Sequence, residues 1–584
     1  MKNIFFITLL FVAYTAQSQQ KTYCNPINID YGYCPIEPFV TQGKHRATAD
    51  PVITFFKGNY YLFSTNQWGY WYSKDMLTWK FQARKFLRPE HKVWDELCAP
   101  TLSFVNDTLL VKGSTHTKEF PIWMSTNPEK NEWKELVHKS EAAAWDPQIF
   151  WDEEKDELYE YYGSSNLYPL YGVKLNRKTF QPEGDRIPVL ALNDHEHGWE
   201  RFGENNDNTF LQPFTEGAFV TKYNDKYYLQ YGAPGTEFSN YADGVYVGKN
   251  PLGPFEYQSH NPFSYKPGGF ARGAGHGATF QDVHGNYWHT ATIGICVKNN
   301  FERRIGIWPA GFDRDDVLYS NTAYGDYPTF LPSEQKDHLT ASFAGWMLLN
   351  YNKPVQVSST LGGFQPNLAV DEDIKTYWSA KTASNKEWFQ TDLGEVSTIY
   401  ALQINYADQD AEFMGKPVYT SGHQYILWGS NDGKNWKKFV DKSKNIHDVP
   451  HDYIELAIPV QFRFVKMQNL GMPTGKFALS GFRVFGKGSG EKPNAVQNFV
   501  PLRSGPKVKG ERRNVWFKWQ QEPSADGYVI YFGKSPDKLY GSIMVYGKTE
   551  YYFNGLDRSD VYYFQIEAFN NNGIGPKSEV KKSE

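Results

Sequence analysis

Three acidic residues stand at the heads of short apolar stretches: Asp50 in DPVITFF, Asp146 in DPQIFW and Glu216 in EGAFVTKY. His276 heads a fourth such stretch, HGATFQ. Two carboxyl groups flanking a glycosidic bond can hydrolyse it. One protonates the leaving oxygen, and the other activates a water or attacks the sugar directly. The acid must keep its proton near neutral pH, which burial or a neighbouring negative charge brings about. A third carboxylate beside the acid therefore meets a physical requirement. A lone Asp-Pro or Glu-Gly is ordinarily a turn; three in register within a repeat point instead to one shared pocket.

The elements that must position these residues are repeated. From about residue 23 to 332 the chain carries five similar blocks, opening at Asp50, Ala99, Asp146, Glu216 and His276. Each block runs from a small or polar residue into an apolar strand, a turn, an aromatic strand and a third strand. The turns KGN, VND, DEEKD, YNDK and VHGN hold the Asn, Asp and Gly of hairpins. Strand-rich units repeating at this spacing predict a five-bladed β-propeller. The innermost strand of each blade lines the axis, so the five head residues are expected at equivalent positions around one mouth of the channel.

Composition agrees with an all-β chain. Of 584 residues, 17% are aromatic, with 18 Trp, 40 Tyr and 41 Phe. Aromatic residues favour strands, and their flat faces suit sugar rings. With 40% hydrophobic and 22% charged residues the chain has enough apolar material for packed cores. A net charge of −4, from 61 basic and 65 acidic residues, disfavours a nucleic-acid partner.

The first segment resembles glycoside hydrolase family 43. The resemblance rests on ADPVI (from Ala49), YSKDMLTW (from Tyr72), WDPQIF (from Trp145), TEGAFV (from Thr215), NPLGPF (from Asn250) and GAGHGATF (from Gly273). It implies an inverting mechanism in which Asp50 is the general base, Asp146 raises the acid's pKa and orients it, and Glu216 is the general acid. His276 matches a histidine near the axis that is often associated with calcium. Arg303 or Arg304 is expected to contact substrate, with Arg304 taken as the candidate. Ala218 stands where the family commonly has proline, which bears on local subsite geometry. Ala49 before Asp50 argues against the retaining fructoside-cleaving enzymes of the same clan. A carboxyl separation of about 6.5–9.5 Å marks inversion and about 5–5.5 Å retention. Trp68, Trp71, Trp94 and Trp145 are sugar-stacking candidates, Trp145 foremost because it adjoins Asp146. The acidic stretch from Glu196 to Asn208, with Glu200 and Glu204, is expected as a polar loop at the pocket rim.

Residues 345–487 change character. NLAVDEDIKTYWSA, WFQTDLG, SNDGKNWKKF and FRFVKMQ resemble the discoidin, or coagulation-factor type C, fold, which includes carbohydrate-binding modules. The resemblance implies a structural calcium near Asp371 and Asp373; turn capping is the alternative reading of those acids. Gly486 to Pro493 (GKGSGEKP) is expected to be a flexible linker. Residues 494–584 alternate as strands and resemble a fibronectin type III sandwich, with Leu556 and Tyr562 spaced as in a tyrosine corner.

Residues 1–18 read as a signal peptide: a lysine, an apolar run and small residues at Ala16-Gln17-Ser18. The mature chain is expected to be exported, to the periplasm or beyond, with no membrane span. Cys24 and Cys34 could pair as a small-loop disulfide or remain thiols.

These expectations converge on an exported, inverting, exo-acting glycosidase that needs no cofactor for its chemistry and releases pentose from plant or algal polysaccharide. A β-xylosidase leads, with α-L-arabinofuranosidase or galactan-cleaving activity as alternatives. A non-catalytic carbohydrate-binding protein is the rival from another class, and an interaction scaffold a third.

Overall fold

The computed structural model describes residues 21–83, 97–117, 119–142, 145–336, 343–416, 422–503 and 511–583. The expected signal peptide and Trp94 lie outside the described residues.

Five antiparallel sheets follow one another along the chain, four of them four-stranded and the fourth in order five-stranded. Their first strands are Val52–Phe56, Cys98–Val105, Gln148–Asp152, Glu216–Tyr223 and Gly275–Gln281. Each first strand packs against the next, and the fifth returns to the first, closing a ring. This is the propeller arrangement, and we call the sheets blades 1 to 5. The hairpins use turn chemistry legible in the sequence. Lys57 and Gly58 (φ 48° and 85°) and Asn224 and Asp225 (φ 45° and 57°) take the left-handed pairs that twist-matched two-residue turns require. Apolar residues fill the spaces between blades. Val52, Phe63 and Tyr70 of blade 1 share a cluster with Leu102 and Val111 of blade 2, and Leu110 of blade 2 meets Ile149 and Leu158 of blade 3.

Among the described residues, two long antiparallel strands, Trp388–Tyr406 and His451–Gly471, dominate the second domain. The C-terminal domain is a two-sheet sandwich. One sheet is Val500–Arg503, Val515–Lys518 and Glu550–Phe553; the other centres on Gly527–Gly533 and Tyr562–Asn570. Its corner forms as the spacing implied: the Tyr562 hydroxyl accepts from the Asp557 backbone N–H at 3.0 Å.

The three domains interlock. The blade 4 core and the C-terminal sandwich form one apolar cluster. Arg46 reaches Asp408 at 3.1 Å and Asp448 at 2.7 Å in the second domain. Two sequence expectations change as a result. The glycine-rich stretch after Gly486 is pinned rather than free: Gly488 N–H donates to Asn571 O, and Ser489 Oγ to Glu395. The stretch around Glu196 is not a pocket rim but a domain contact. Glu196 accepts from Ser559, and His197 pairs with Asp557 at 2.9 Å. Cys24 and Cys34 are free thiols rather than a disulfide pair.

Candidate active site

The blade heads share a backbone device. Asp50, Ala99, Asp146 and His276 have φ of 53°, 43°, 56° and 47°, a left-handed conformation that non-glycine residues rarely adopt. In blade 4 that position belongs to Gly217 (φ 66°), so Glu216 sits one residue ahead of the equivalent place. Glycine is needed there twice over, since a Cβ on Gly217 would lie 2.6 Å from the His276 ring. The expectation that Glu216 is equivalent to the other heads is thus corrected. Blades 2, 4 and 5 carry the same bulge, after Cys98, Glu216 and Gly275, so Glu216 holds the place of Cys98 and Gly275 rather than that of Ala99 and His276.

What holds the strained heads is a ring of hydrogen bonds from each to the preceding blade. Asp50 N–H donates to Thr292 Oγ1 of blade 5 at 2.9 Å. Ala99 N–H donates to Thr65 Oγ1 at 2.7 Å, and Asp146 N–H to Ser114 Oγ at 2.9 Å. Gly217 N–H points at the Asp146 carboxyl. His276 N–H donates to Asp243 Oδ1 at 2.7 Å, and Asp243 is itself anchored by His289 at 2.9 Å.

The ring brings the chemistry together. The ligating atoms of Asp146, Glu216 and His276 lie within 4.8 Å of one another. His276 Nδ1 is 3.3 Å from Asp50 Oδ1 and 3.8 Å from Asp146 Oδ2. Asp50 Oδ2 accepts from Thr65 Oγ1 at 2.6 Å, and Arg303 Nη1 stands 3.7 Å from Oδ1. Glu216 Oε1 accepts from Tyr241 at 2.6 Å and Oε2 from Ser164 at 3.1 Å.

Electrostatics divide the buried acids. Burial opposes charge on Asp50, but His276, Arg303 and the Thr65 hydrogen bond outweigh it and hold the carboxyl below its ordinary value. Asp146 is pushed up to about 7, first by burial and then by the charges of Glu216 and Asp50, against the pull of His276. Its Oδ2 is buried without a hydrogen-bond partner. The His276 imidazole is held above its ordinary value: burial opposes its charge, but Asp50, Asp146 and Glu216 overcome it. Such a set favours the ionised form of Asp50 and the protonated form of Asp146.

Arg304 is not at the site. Adjacent strand residues face opposite ways. Arg304 therefore turns outward, donating to His451 Nε2 at 2.9 Å and to Arg46 O at 3.2 Å, while Arg303 faces Asp50 and donates to Thr236 Oγ1 at 3.1 Å. Trp71 is fully buried and donates to Asp30 at 2.6 Å, so it offers no face to a sugar. Trp68 and Trp145 remain half-buried, Trp145 edge-on to His116 with ring centres 5.3 Å apart. Glu200 is buried away from the acids and bonded to Tyr231, and Glu204 accepts from Ser239 N–H.

The groups around His276 do not fit the implied calcium. Calcium takes six to eight oxygen ligands, whereas Nδ1 is turned toward two carboxylates as an ion-pair partner. Asp371 and Asp373 are engaged as turn caps. Asp371 accepts from Asp373 N–H and Thr376 Oγ1, and Asp373 accepts from Lys375 N–H and pairs with Arg272 at 3.3 Å.

Sequence reasoning passed over Tyr241, Thr65 and Ser164. A signal was present: hydroxyl residues recur at the ends of second strands, in FST, KGS, GSS and TAT.

Residues 41–317 match the profile of Glycosyl hydrolases family 43, and residues 354–481 that of the F5/8 type C domain. Among solved structures, one named "Glycoside hydrolase" is 18% identical, covering 78% of this chain and 100% of its own, with a TM-score of 0.43. An endo-1,4-beta-xylanase from Bacteroides thetaiotaomicron is 20% identical, covering 50% and 96%, at 0.40. An alpha-L-arabinanase of Cellvibrio cellulosa is 16% identical, covering 48% and 96%, at 0.37. No curated protein matches the chain.

Proposed function

We propose that the family 43 domain spanning residues 41–317 is an inverting, exo-acting glycosidase that releases pentose from polysaccharide or oligosaccharide, with β-linked xylose as its first substrate. α-L-Arabinofuranosides and galactans are the alternatives within the same chemistry. The observation that carries the reading is the gathering of the acids around His276: Asp50 is held below its ordinary value, while Asp146, beside Glu216, is pushed up to about 7.

In this reading Asp50 accepts a proton from a water as that water attacks the anomeric carbon. Glu216 donates its proton to the leaving oxygen. Asp146 keeps that proton available near neutral pH, because two neighbouring carboxyls cannot both ionise cheaply. Thr65 and Arg303 hold Asp50; Tyr241 and Ser164 aim the two oxygens of Glu216. The half-buried Trp145 and Trp68 supply faces for the sugar ring.

Export through the segment ending at Ser18 belongs to the same proposal. So does a fibronectin type III-like identity for the C-terminal sandwich, whose role is packing against blade 4. The test is initial-rate hydrolysis of alkyl pentosides, whose leaving group needs a proton, by wild type and Glu216→Gln. Turnover undiminished in the variant rejects the acid assignment. Sugar binding without hydrolysis of any glycan points instead to a carbohydrate-binding protein.

A further inference from the structure

A cavity of about 410 Å³ opens where blade 4 and blade 5 loops, the F5/8 type C domain and the C-terminal sandwich meet. That volume is in the range of small-molecule sites. Asp50, Asp146 and Glu216 are not among its lining residues. We propose that this cavity is a second carbohydrate-binding site, one that holds a neutral oligosaccharide apart from the acids. The proposal rests on the carbohydrate substrate argued above.

Its walls combine two kinds of surface. Tyr351 of the second domain and Tyr551 of the third are half-buried rings, suited to the apolar face of a sugar. Arg272 and Asp373 form an ion pair in its wall at 3.3 Å, so the lining presents both signs of charge together with hydroxyls and amides. With Glu204, Asp371 and Glu372 also in the wall beside Lys548, such a lining favours a hydroxyl-rich neutral ligand over an anion.

A second observation points to an occupant. Ser239 and Asn240 line the cavity at 5% and 4% exposure, and Ser239 Oγ and Asn240 Oδ1 are buried without hydrogen-bond partners. The Asn240 amide nitrogen is already committed to Gly203 O at 3.0 Å. Buried polar atoms left unpaired are costly and uncommon, and these two lie in the wall immediately behind the cavity surface. The next residue is Tyr241, whose hydroxyl holds Glu216. One short loop therefore serves the cavity and the acid.

The experiment is calorimetric titration of the full chain, in the Glu216→Gln background, with xylotetraose and separately with arabinotetraose. We expect two molecules of one of these sugars per chain. Adding Tyr551→Ala or Tyr351→Ala should abolish one binding event or weaken it at least about tenfold, about 1.4 kcal/mol. Either variant alone should leave aryl pentoside turnover at the wild-type rate. Two variants in different domains guard against one that misfolds, and the thermal transition of each reports folding. A single binding event unaffected by both folded variants overturns the proposal and leaves the glycosidase reading intact. A wild-type chain that hydrolyses no glycoside, yet retains one tyrosine-dependent binding event, overturns the glycosidase reading and leaves this one standing.

Discussion

The phenol of Tyr241 donates a 2.6 Å hydrogen bond to Glu216 Oε1, and Ser164 donates to the other oxygen at 3.1 Å. The two oxygens of the carboxyl are thereby distinguished, and the group is fixed in direction. Removing the phenol should cost orientation more than binding. Tyr241→Phe is expected to lower kcat by about tenfold to a hundredfold, the worth of a hydrogen bond to a charged group. KM should change little. Steady-state kinetics on an aryl pentoside check it; a raised KM with kcat intact would assign Tyr241 to substrate binding instead.

Leaving-group dependence separates the acid from the base. Glu216→Gln should retain much of its rate on a dinitrophenyl glycoside, whose leaving group needs no proton. On an alkyl glycoside it should lose about 10²–10⁴-fold. Asp50→Asn should lose comparably on both, because the attacking water needs a base whatever departs. Equal losses for the two variants across the series would remove the distinction between their roles.

The pH profile follows from the two buried aspartates. Asp50 titrates below its ordinary value, so the acidic limb of kcat/KM should fall only below about pH 4. Asp146 is pushed up to about 7, by burial and then by the charges of Glu216 and Asp50 against the pull of His276. As pH rises through that value Asp146 loses its proton and activity falls. Asp146→Asn removes the neighbouring charge, so the basic limb should move to lower pH. A basic limb unmoved by the substitution would assign it to His276 or to substrate.

Arg303 and Arg304 should behave as residues of different places. Arg303→Gln leaves the thermal transition near wild type and lowers kcat/KM by at least about tenfold, through weaker support of Asp50. Arg304→Gln removes the partner of His451 Nε2 and one of the two arginines that pair with Asp408 at the domain contact. It should destabilise the fold by on the order of 3 kcal/mol while KM for a small aryl substrate stays near wild type. Differential scanning fluorimetry beside kinetics reads both.

Much of the architecture was legible because each block carries its own turn residues and apolar strand, and the heads Asp50, Asp146 and His276 fall where repetition puts them. The one-residue offset of Glu216 was not legible, because its blade bulges as blades 2 and 5 do and only Gly217 at the left-handed position marks the difference. The choice between Arg303 and Arg304 depended on strand phase. Every residue from Arg303 to Gly311 is buried, so no hydrophobic alternation distinguishes the two faces. Contacts between domains were illegible for a different reason. Glycine-rich Gly486 to Pro493 has linker composition, and only the positions of Asn571 and Glu395 make it a fixed seam.

Anomer-resolved proton NMR of the first product released from an aryl β-D-xyloside tests the central claim most directly. The account predicts the α-anomer first, with the β-anomer growing in only at the rate of mutarotation. The β-anomer appearing first, or no hydrolysis of any pentoside by the intact chain, would contradict it.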